Sequence, residues 1–254
     1  MYKNLNKLIF ITIFLFSNYC YSYYNNTSNQ NIPSILDPNS AHIIAQLGGF
    51  YTYQGESQDV GITGLIGDKF NVTKHDNGNI LVGFGYFINT YQNNSVKVLL
   101  GLNGFYLAKT YVKGEVIQEN LFTNLSFKYY VSNYPIYIAA RTLLNNSSND
   151  YNIILDFGIG PNFSQTSGIT EKSLDGGTSI PDSMFSGKSY TAISATAGFG
   201  IKVNNFLNLT PVEIGYRFFY LDKGYLNERS QTVTNNLTTS NSYINALILT
   251  FSIY

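Results

Sequence analysis

The chain has 254 residues, with 15 basic and 15 acidic side chains and only 12% charged residues. A soluble domain usually carries about a quarter charged residues, so much of this surface is expected to face something other than water. Without the two N-terminal lysines, 13 basic side chains stand against 15 acidic ones, and this balance argues against nucleic acid as a partner.

The N-terminus has the pattern of a secretory signal peptide. Two lysines precede an apolar stretch over 8–16, and Ser22 supplies a small side chain before a cleavage site. The apolar stretch is about half as long as a membrane-spanning helix, which needs about 20 residues. We predict a signal peptide at 1–22 and a flexible leader at 23–40. The single cysteine, Cys20, falls within the signal peptide, so the mature chain is expected to lack thiols and disulfides.

From Ala41 onward, apolar and polar residues alternate with a period of two, which predicts β-strands with one apolar face. No helical period competes, so we predict one all-β, antiparallel domain over 41–254. Turn signals such as Asn77-Gly78, Asn93-Asn94 and Ser132 to Pro135 separate most of the strands. The predicted strands cover 42–54, 58–74, 79–91, 96–109, 119–131, 136–144, 151–163, 189–203, 211–221 and 241–254.

Two all-β architectures compete, a secreted β-sandwich and a transmembrane β-barrel. Sandwich strands average about five or six residues, whereas these are long enough to cross a membrane at a tilt. Tyrosines also lie toward the strand ends, where the interfacial girdles of a transmembrane barrel are found. These features favour the barrel. The girdle tyrosines are Tyr51, Tyr53, Tyr106, Tyr129, Tyr151, Tyr190 and Tyr220.

Charged side chains also occur in mid-strand, on the face opposite the apolar one. Burying them in a sandwich core would be costly, but inside a narrow barrel they can pair with one another or with water. We therefore predict a polar network in the lumen. Its predicted members are Lys97, Lys128, Arg141, Asp156, Lys202, Glu213 and Arg217.

The final strand, 241–254, is predicted to close the barrel, because no unpaired strand edge is stable in hydrocarbon. Phe251 and Tyr254 are the aromatic residues of this closing strand. A terminal aromatic resembles the signal by which the outer-membrane assembly machinery of bacteria recognises its substrates. Tyr254 is, however, out of phase with the more apolar face of the strand.

Ten strands are the first expectation for the closed antiparallel barrel, with eight or twelve as alternatives. In the ten-strand topology the segments 164–189 and 222–240 are long external loops, and Gln92 to Ser95 is a short external turn. His42 and His75 then both lie at the periplasmic end.

Five stretches carry a family resemblance. They are GLIGDKFNVT (64–73), GLNGFYLAKT (101–110), QENLFTNLSF (118–127), LDFGIGPNF (155–163) and VEIGYRFFYL (212–221). Together they resemble a family of porin-like outer-membrane β-barrel proteins from gammaproteobacteria that live inside host cells. The resemblance covers about 42–254. It implies a surface barrel or surface antigen in the outer membrane of a Gram-negative bacterium, in contact with phospholipid and lipopolysaccharide, and it implies little about activity.

Catalysis is not expected. Outer-membrane barrel enzymes pair a histidine with a nucleophile or acid, but neither His42 nor His75 lies in a recognisable catalytic motif. Asp156 and Glu213 share a face with Lys and Arg, which favours structural ion pairs over a pair of catalytic carboxylates.

No metal or cofactor is expected either. Asp175 and Asp182 lack the spacing of a calcium loop. The Gly158-Ile159-Gly160 stretch lacks the third glycine and the following helix of a nucleotide site.

Two functions remain open. One is a structural or interaction barrel that displays external loops to a host or envelope partner. The other is a narrow porin-like channel for small or hydrophobic solutes, although about ten strands leave little room inside. Met184 and Phe185 fit either exposed anchors of a loop or a cap that folds back over the barrel mouth. A monomer is the expected state.

Overall fold

The structure is a computed structural model, and it describes residues 41–145, 151–204 and 211–253. The predicted signal peptide and leader, and the terminal Tyr254, lie outside the described residues. Among the described residues, no helix is long and apolar enough to cross a membrane. The strands are β1 (Ala41–Tyr53), β2 (Gln58–Val60), β3 (Asp68–Lys74), β4 (Asp76–Gln92), β5 (Val96–Gln118), β6 (Phe122–Asn145), β7 (Tyr151–Ser173), β8 (Phe185–Ser186), β9 (Ser189–Val203), β10 (Val212–Tyr225), β11 (Asn227–Glu228) and β12 (Thr238–Ile253).

Eight long strands form a closed antiparallel ring in the order β1-β4-β5-β6-β7-β9-β10-β12. The ring closes because β12 pairs with β1 from Ile43 opposite Ile253 to Tyr53 opposite Tyr243. Phe251 lies in this seam, between Ala45 of β1 and Val212 of β10. The predicted all-β, closed antiparallel barrel is therefore confirmed.

The ring contains eight strands, the alternative to the expected ten. The segments 119–131 and 136–144 form the single strand β6, in which Pro135 pairs with Asn162. Proline is tolerated in a sheet beside a bulge, and the pairing of β5 with β6 is irregular between Leu107 and Thr110, close to Pro135. The predicted turn at Ser132 to Pro135 was therefore wrong.

The segment 58–74 is the second reason for the lower strand number. It forms only β2 and β3, and β3 pairs with the far part of β5 instead of crossing the ring. Asn77 and Gly78, predicted as a turn, lie within β4 opposite Thr52 and Tyr51.

The two ends of the ring differ in their connections. At the short-turn end, β4 and β5 are joined by the predicted Asn93-Asn94 turn, in which the Asn93 side chain accepts hydrogen bonds from the N–H groups of Ser95 and Val96. Ala41 and Ile253 lie at this end as well. At the opposite end, the loop end, the connections are 54–75, 119–121, 174–188 and 226–237.

With eight strands instead of ten, two features lie at a different end of the ring from the one expected. The turn at Gln92 to Ser95 lies at the short-turn end, together with the start of β1, whereas the ten-strand topology placed these two at opposite ends. His42 lies at the short-turn end and His75 at the loop end, so the expectation that both share one end was wrong. The loops are also shorter than 164–189 and 222–240, because β7 continues to Ser173 and β10 to Tyr225.

An apolar belt surrounds the part of the ring next to the short-turn end. Its outward side chains are large, apolar and 39–71% exposed. Tyr106 and Tyr134 stack with ring centroids 5.2 Å apart at the edge of the belt that faces the loop end. The belt includes Leu47, Ile80, Val82, Phe84, Leu102, Ile136, Ile138, Ile153, Phe157, Ile159, Phe199, Ile201, Ile214, Leu247, Leu249 and Phe251.

Strands β5, β6 and β7 continue well beyond the belt, because they have 23 or 24 residues and a membrane crossing takes about 9–11. Together with β3, their far parts form what we call the outer wall. Its inward side chains form an apolar outer core, which is separate from the core inside the belt. The outer core includes Val60, Phe70, Val112, Val116, Leu125, Phe127, Tyr129, Val131, Met184, Phe185, Leu226, Val233 and Leu237.

Candidate functional site

Four charged side chains form an ion-pair network inside the ring, at the level of the belt. Arg141 donates to both carboxylate oxygens of Asp156, at 2.8 and 3.0 Å, and to Glu213 at 2.9 Å. Arg217 donates to the same Asp156 carboxylate. The four side chains are at most 14% exposed. Two cations and two anions make the network neutral, which offsets the cost of burying each charge.

The backbone register brings the network together. Arg141 and Asp156 are direct partners across β6 and β7. Asp156, Gly198 and Arg217 lie in one row across β7, β9 and β10. A Cβ atom at Gly198 would lie 3.4 Å from the Nε atom of Arg217. A Cβ atom here would also lie only 2.9 Å from the Tyr216 carbonyl oxygen, so glycine fits this close approach of the two strands.

Two further predicted network residues face the interior nearer the short-turn end. The Nζ atom of Lys97 lies 2.9 Å from Nε2 of His42. Lys202 is the backbone partner of Glu213. The structure therefore brings Arg141, Asp156, Glu213 and Arg217 into one network and places these two lysines beside it.

Lys128 does not belong to the lumen, and its predicted position was wrong. Its neighbours in β6, Phe127 and Tyr129, are 3% and 1% exposed inside the outer core, so Lys128 points outwards. Its ammonium nitrogen lies 4.6 and 4.7 Å from the ring centroids of Tyr111 and Tyr130. The prediction assumed that the apolar face of every strand meets lipid. Beyond the belt the apolar face turns inwards to form a core, and the polar face turns outwards.

Two predicted girdle residues, Tyr129 and Tyr190, lie on inward faces. Tyr190 shares its face of β9 with Ser194 and Thr196, which are 0% and 6% exposed. Tyr129 is buried in the outer core and stacks on Phe127 at 6.2 Å. Tyr134, which was assigned to a turn, occupies the girdle position instead and stacks on Tyr106.

Aromatic rings fill the interior around the ion-pair network. Phe105 meets Phe219 edge to face at 5.1 Å. The guanidinium groups of Arg217 and Arg141 lie over Phe105 and Phe87, at 5.1 and 5.5 Å from the ring centroids. The cavities that border the network measure about 20 and 30 Å³, which is room for one or two water molecules. These two cavities are too small for a solute larger than water.

A second apolar layer lies toward the loop end. Phe70 contacts Phe127 at 5.2 Å and Phe185 at 5.6 Å, and Met184 and Phe185 are only 6% and 1% exposed. The short pairing of β8 with β11 holds this segment across the mouth. Of the two interpretations of Met184 and Phe185, the structure shows the cap.

Four carboxylates, which we call the acidic rim, connect the loop-end segments above this cap; they belong to Asp68, Glu119, Glu171 and Asp182. Asp68 accepts a hydrogen bond from the backbone N–H of Glu119 at 3.0 Å, and Glu171 accepts one from Ser183 at 3.0 Å. The side-chain amide of Gln118 donates to Asp182 at 2.8 Å. Burial raises the pKa of Asp68 and of Glu171, and the neighbouring carboxylates raise both further. Sequence reasoning missed this acidic rim because its members come from four separate segments.

The loop end also exposes large apolar side chains. The connection 61–67 is tied to the β5–β6 turn, because the N–H of Ile66 donates to the Glu119 carboxylate at 2.9 Å. The start of connection 174–188 is tied to β6, because the N–H of Leu174 donates to the Asn124 carbonyl oxygen at 2.8 Å. We call the apolar residues carried by these segments the apolar rim. They are Leu65, Ile66, Leu121, Phe122, Leu174 and Ile180, and they are 52–78% exposed.

His42 and His75 lie at opposite ends of the ring and cannot share one site. Within the described ranges, no three His, Cys, Asp or Glu side chains are grouped so as to hold a metal ion.

The outer surface of the belt needs an apolar environment. Soluble monomers rarely expose contiguous apolar patches of more than a few hundred Å², whereas this belt covers the ring strands on their outward faces. A closed ring leaves no unpaired strand edge, which is the condition for placing a sheet in hydrocarbon. The chain therefore has the architecture of an outer-membrane β-barrel.

Comparison with known proteins yields structural matches only. No family model matches the sequence, and no curated protein matches it significantly. The outer-membrane protease OmpT of Escherichia coli matches with 9% identity, 89% coverage of this chain, 100% coverage of that chain and a TM-score of 0.45. The outer-membrane protein OprG of Pseudomonas aeruginosa matches with 13% identity, 85% and 97% coverage and a TM-score of 0.43.

A third match is Ail, the attachment invasion locus protein of Yersinia pestis, in complex with the heparin analogue sucrose octasulfate. It has 14% identity, 84% coverage of this chain, 99% coverage of that chain and a TM-score of 0.36. At these levels of similarity, the activities of the matched proteins are not assigned to this chain.

Proposed function

We propose that this protein is an integral outer-membrane barrel that acts as a surface-exposed structural and interaction protein. The observation that carries the proposal is the contrast between a filled interior and an apolar rim that is exposed at the loop end. Monomeric proteins tend to expose apolar groups in this way where they bind a partner.

The proposed orientation follows the usual asymmetry of bacterial barrels, which have short periplasmic turns and longer extracellular loops. The loop end, with the apolar rim, then lies outside the cell. Export by the predicted signal peptide and insertion by the outer-membrane assembly machinery are part of the proposal.

The rim is suited to recognition because it is held in place before a partner arrives. The side chain of Gln58 bonds with Thr238, with its Nε2 donating to the Thr238 carbonyl oxygen at 2.8 Å and its Oε1 accepting from the Thr238 hydroxyl at 2.8 Å. An isolated bridge pairs Ile62 with Val233. A surface that is already ordered loses less conformational entropy on binding. The proposed partner is a host or envelope protein with an apolar contact surface and basic groups that complement the acidic rim.

The filled interior supports this function over the narrow channel. The ion-pair network, the aromatic layer around it and the cap formed by Met184 and Phe185 each obstruct the axis of the barrel. A non-enzymatic role is likewise part of the proposal, supported by the separation of His42 from His75.

Planar-bilayer conductance of the refolded protein separates the two functions. The interaction barrel predicts no discrete conductance steps, while heat-modifiable gel mobility shows that the barrel has folded. Regular single-channel steps from the folded protein would favour the channel.

The rim itself is tested on Gram-negative cells that display the protein. The variant Leu121→Ser/Phe122→Ser is expected to reduce adhesion to host epithelial cells, because it removes two exposed apolar contacts. The control variant Asn227→Ser/Arg229→Ser changes exposed polar residues at the same end and should adhere like the wild type. Equal adhesion of all three proteins and of cells that lack the protein would contradict the proposal.

A further inference from the structure

Four lysines cluster around two tyrosines on the outward face of the outer wall. We call this group the lysine patch, and it comprises Lys74 of β3, Lys109 and Lys113 of β5, and Lys128 of β6, with Tyr111 and Tyr130 between them. In backbone register, Lys113 is the partner of both Lys74 and Lys128, and Tyr111 is the partner of Tyr130. Like charges directly opposite each other destabilise a sheet, so three lysines in one row have no local structural explanation.

The tyrosine rings hold the lysines against the wall. The ammonium nitrogen of Lys74 lies 5.6 Å from the Tyr111 centroid, and that of Lys109 lies 5.5 Å from the Tyr130 centroid. Lys128 lies over both rings. Cation–π contacts of this kind are weak where they are exposed, but they fix the direction of the side chains. The patch is thus an ordered group of cations.

These cations have few local counter-ions. Among the described residues, none of the four lysines takes part in an ion pair. Glu115 lies two positions from Lys113 on the same face. Asp76 lies two positions from Lys74, and its carboxylate accepts a hydrogen bond from the Tyr51 hydroxyl. The group retains a net positive charge on a chain that is neutral overall.

The height of the patch identifies what it meets. The stacked Tyr106 and Tyr134 mark the edge of the belt, and Tyr130 precedes Tyr134 by four residues in β6. A strand rises about 3.3 Å per residue and is tilted by about 35–45° in a barrel, so four residues correspond to a rise of about 10 Å. Lys109 therefore lies close to the lipid headgroup layer. Lys128 lies six residues from Tyr134, so it and its partner Lys113 are about 15 Å beyond the belt edge.

We propose that the lysine patch binds the phosphate groups of the phosphorylated glycolipid that forms the outer leaflet around the barrel. The patch is continuous with the lipid-facing belt and carries the opposite charge to these phosphates. Lysine stems can lie along the wall while their ammonium groups reach an anionic layer. The assignment rests on the proposed outer-membrane placement.

The test compares two variants that remove the same amount of charge. Lys74→Gln/Lys113→Gln/Lys128→Gln removes three of the four patch cations, and Lys188→Gln/Lys223→Gln/Arg229→Gln removes three exposed cations of the loop end. Each protein is refolded into nanodiscs of zwitterionic phospholipid, and binding of fluorescent rough-type lipopolysaccharide is compared with binding of its enzymatically dephosphorylated form.

The wild type and the loop-end variant are expected to bind the phosphorylated form more tightly than the dephosphorylated form. The patch variant should lose that preference, with a decrease in affinity on the order of tenfold or more, because a lysine near an anionic lipid surface contributes about 1 kcal/mol. Free inorganic phosphate should compete only weakly, since it lacks the acyl chains that lie along the belt.

Three results would overturn the assignment. The first is equal binding of the two glycolipid forms by the wild type. The second is an equal loss of affinity in both charge variants. The third is tight, patch-dependent binding of heparin without a preference for the phosphorylated lipid, which would assign the patch to a sulfated polysaccharide. Heat-modifiable mobility in the same nanodiscs checks the barrel separately, so that failure of the membrane placement is distinguished from failure of the patch.

Discussion

Strand β6 passes through two regions of the molecule that have opposite polarity. Ile138 and Lys128 are ten residues apart and both point outwards, the first in the apolar belt and the second on the outer wall. Arg141 and Phe127 both point inwards, the first into the ion-pair network and the second into the outer core. An alternating pattern therefore locates the two faces of a strand, while the surrounding medium decides which of them is apolar.

We expect the largest loss of stability when the ion-pair network inside the belt is disrupted. Arg141→Ala leaves the carboxylates of Asp156 and Glu213 without their main partner, and removing one member of a buried ion pair costs about 3–5 kcal/mol. Urea titration of the protein in bilayers should show this loss of stability. Lys97→Ala, which removes an inward cation that has no ion pair among the described residues, is the control. An equal loss in both variants would show that the network has no special role.

Removing apolar volume from the outer core should destabilise the outer wall. Phe70→Ala removes a fully buried ring that contacts Phe127 and Phe185, and truncation of a core phenylalanine costs about 3–5 kcal/mol. Hydrogen exchange should become faster in β3 and β8 before it does so in the belt.

Phe84→Ala is the matched control for this prediction. Phe84 is 57% exposed in the belt, and lipid chains can fill the space that its ring leaves. The loss of stability in Phe84→Ala is therefore expected to be clearly smaller than in Phe70→Ala. A larger effect of Phe84→Ala than of Phe70→Ala would contradict an apolar core in the outer wall.

The outward faces should differ in their tolerance of charge. Ile138→Lys places a cation near the middle of the belt, which costs about 2–4 kcal/mol at the bilayer midplane. Ser126→Lys introduces the same side chain on the same face of β6 beyond the belt, and it should change stability by no more than about 0.5 kcal/mol. Equal costs for the two variants, measured by unfolding in bilayers, would remove the distinction between belt and wall.

The smallest effect concerns the acidic rim. Burial raises the pKa of Asp68 in the folded protein, so folding favours the protonated acid. The resulting stability is present below the ordinary pKa of Asp and is lost as the pH rises through the raised value. Asp68→Asn keeps a side-chain oxygen that can accept the hydrogen bond from the Glu119 N–H. It removes the carboxylate, so this position no longer titrates.

The measurement for Asp68→Asn is hydrogen exchange over 61–68 at pH 5 and pH 7.5, corrected for intrinsic rates. Wild-type protection should be higher at pH 5 than at pH 7.5, and the variant should show little change. Asp59→Asn, at an exposed position of β2, should behave like the wild type. Higher wild-type protection at pH 7.5 would reverse the predicted sign.

The sequence was sufficient to predict what depends on local alternation and closure. Period-two patterns identified the long strands, and the requirement that no strand edge be left in hydrocarbon predicted the pairing of β12 with β1. The inward positions of Arg141, Asp156, Glu213 and Arg217 could also be predicted, because they lie at belt level, where the apolar face does meet lipid.

Features that depend on height above the membrane could not be predicted from alternation. Lys128 has the same sequence context as a lumen lysine, and only the length of β6 shows that it lies beyond the belt. Ser132 to Pro135 has the composition of a turn, but the adjacent irregularity in β5 allows the strand to continue. The acidic rim joins residues that are far apart in the chain, so no local pattern marks it.

Cysteine accessibility along the outward face of β6 tests the inversion of polarity most directly. In a Cys20→Ser background, Lys128→Cys and Ile138→Cys are each introduced into the protein in bilayers. Lys128→Cys should react readily with a membrane-impermeant maleimide, whereas Ile138→Cys should react only with a lipid-soluble reagent. Equal reaction of both positions with the impermeant reagent, or protection of position 128 from it, would contradict the account.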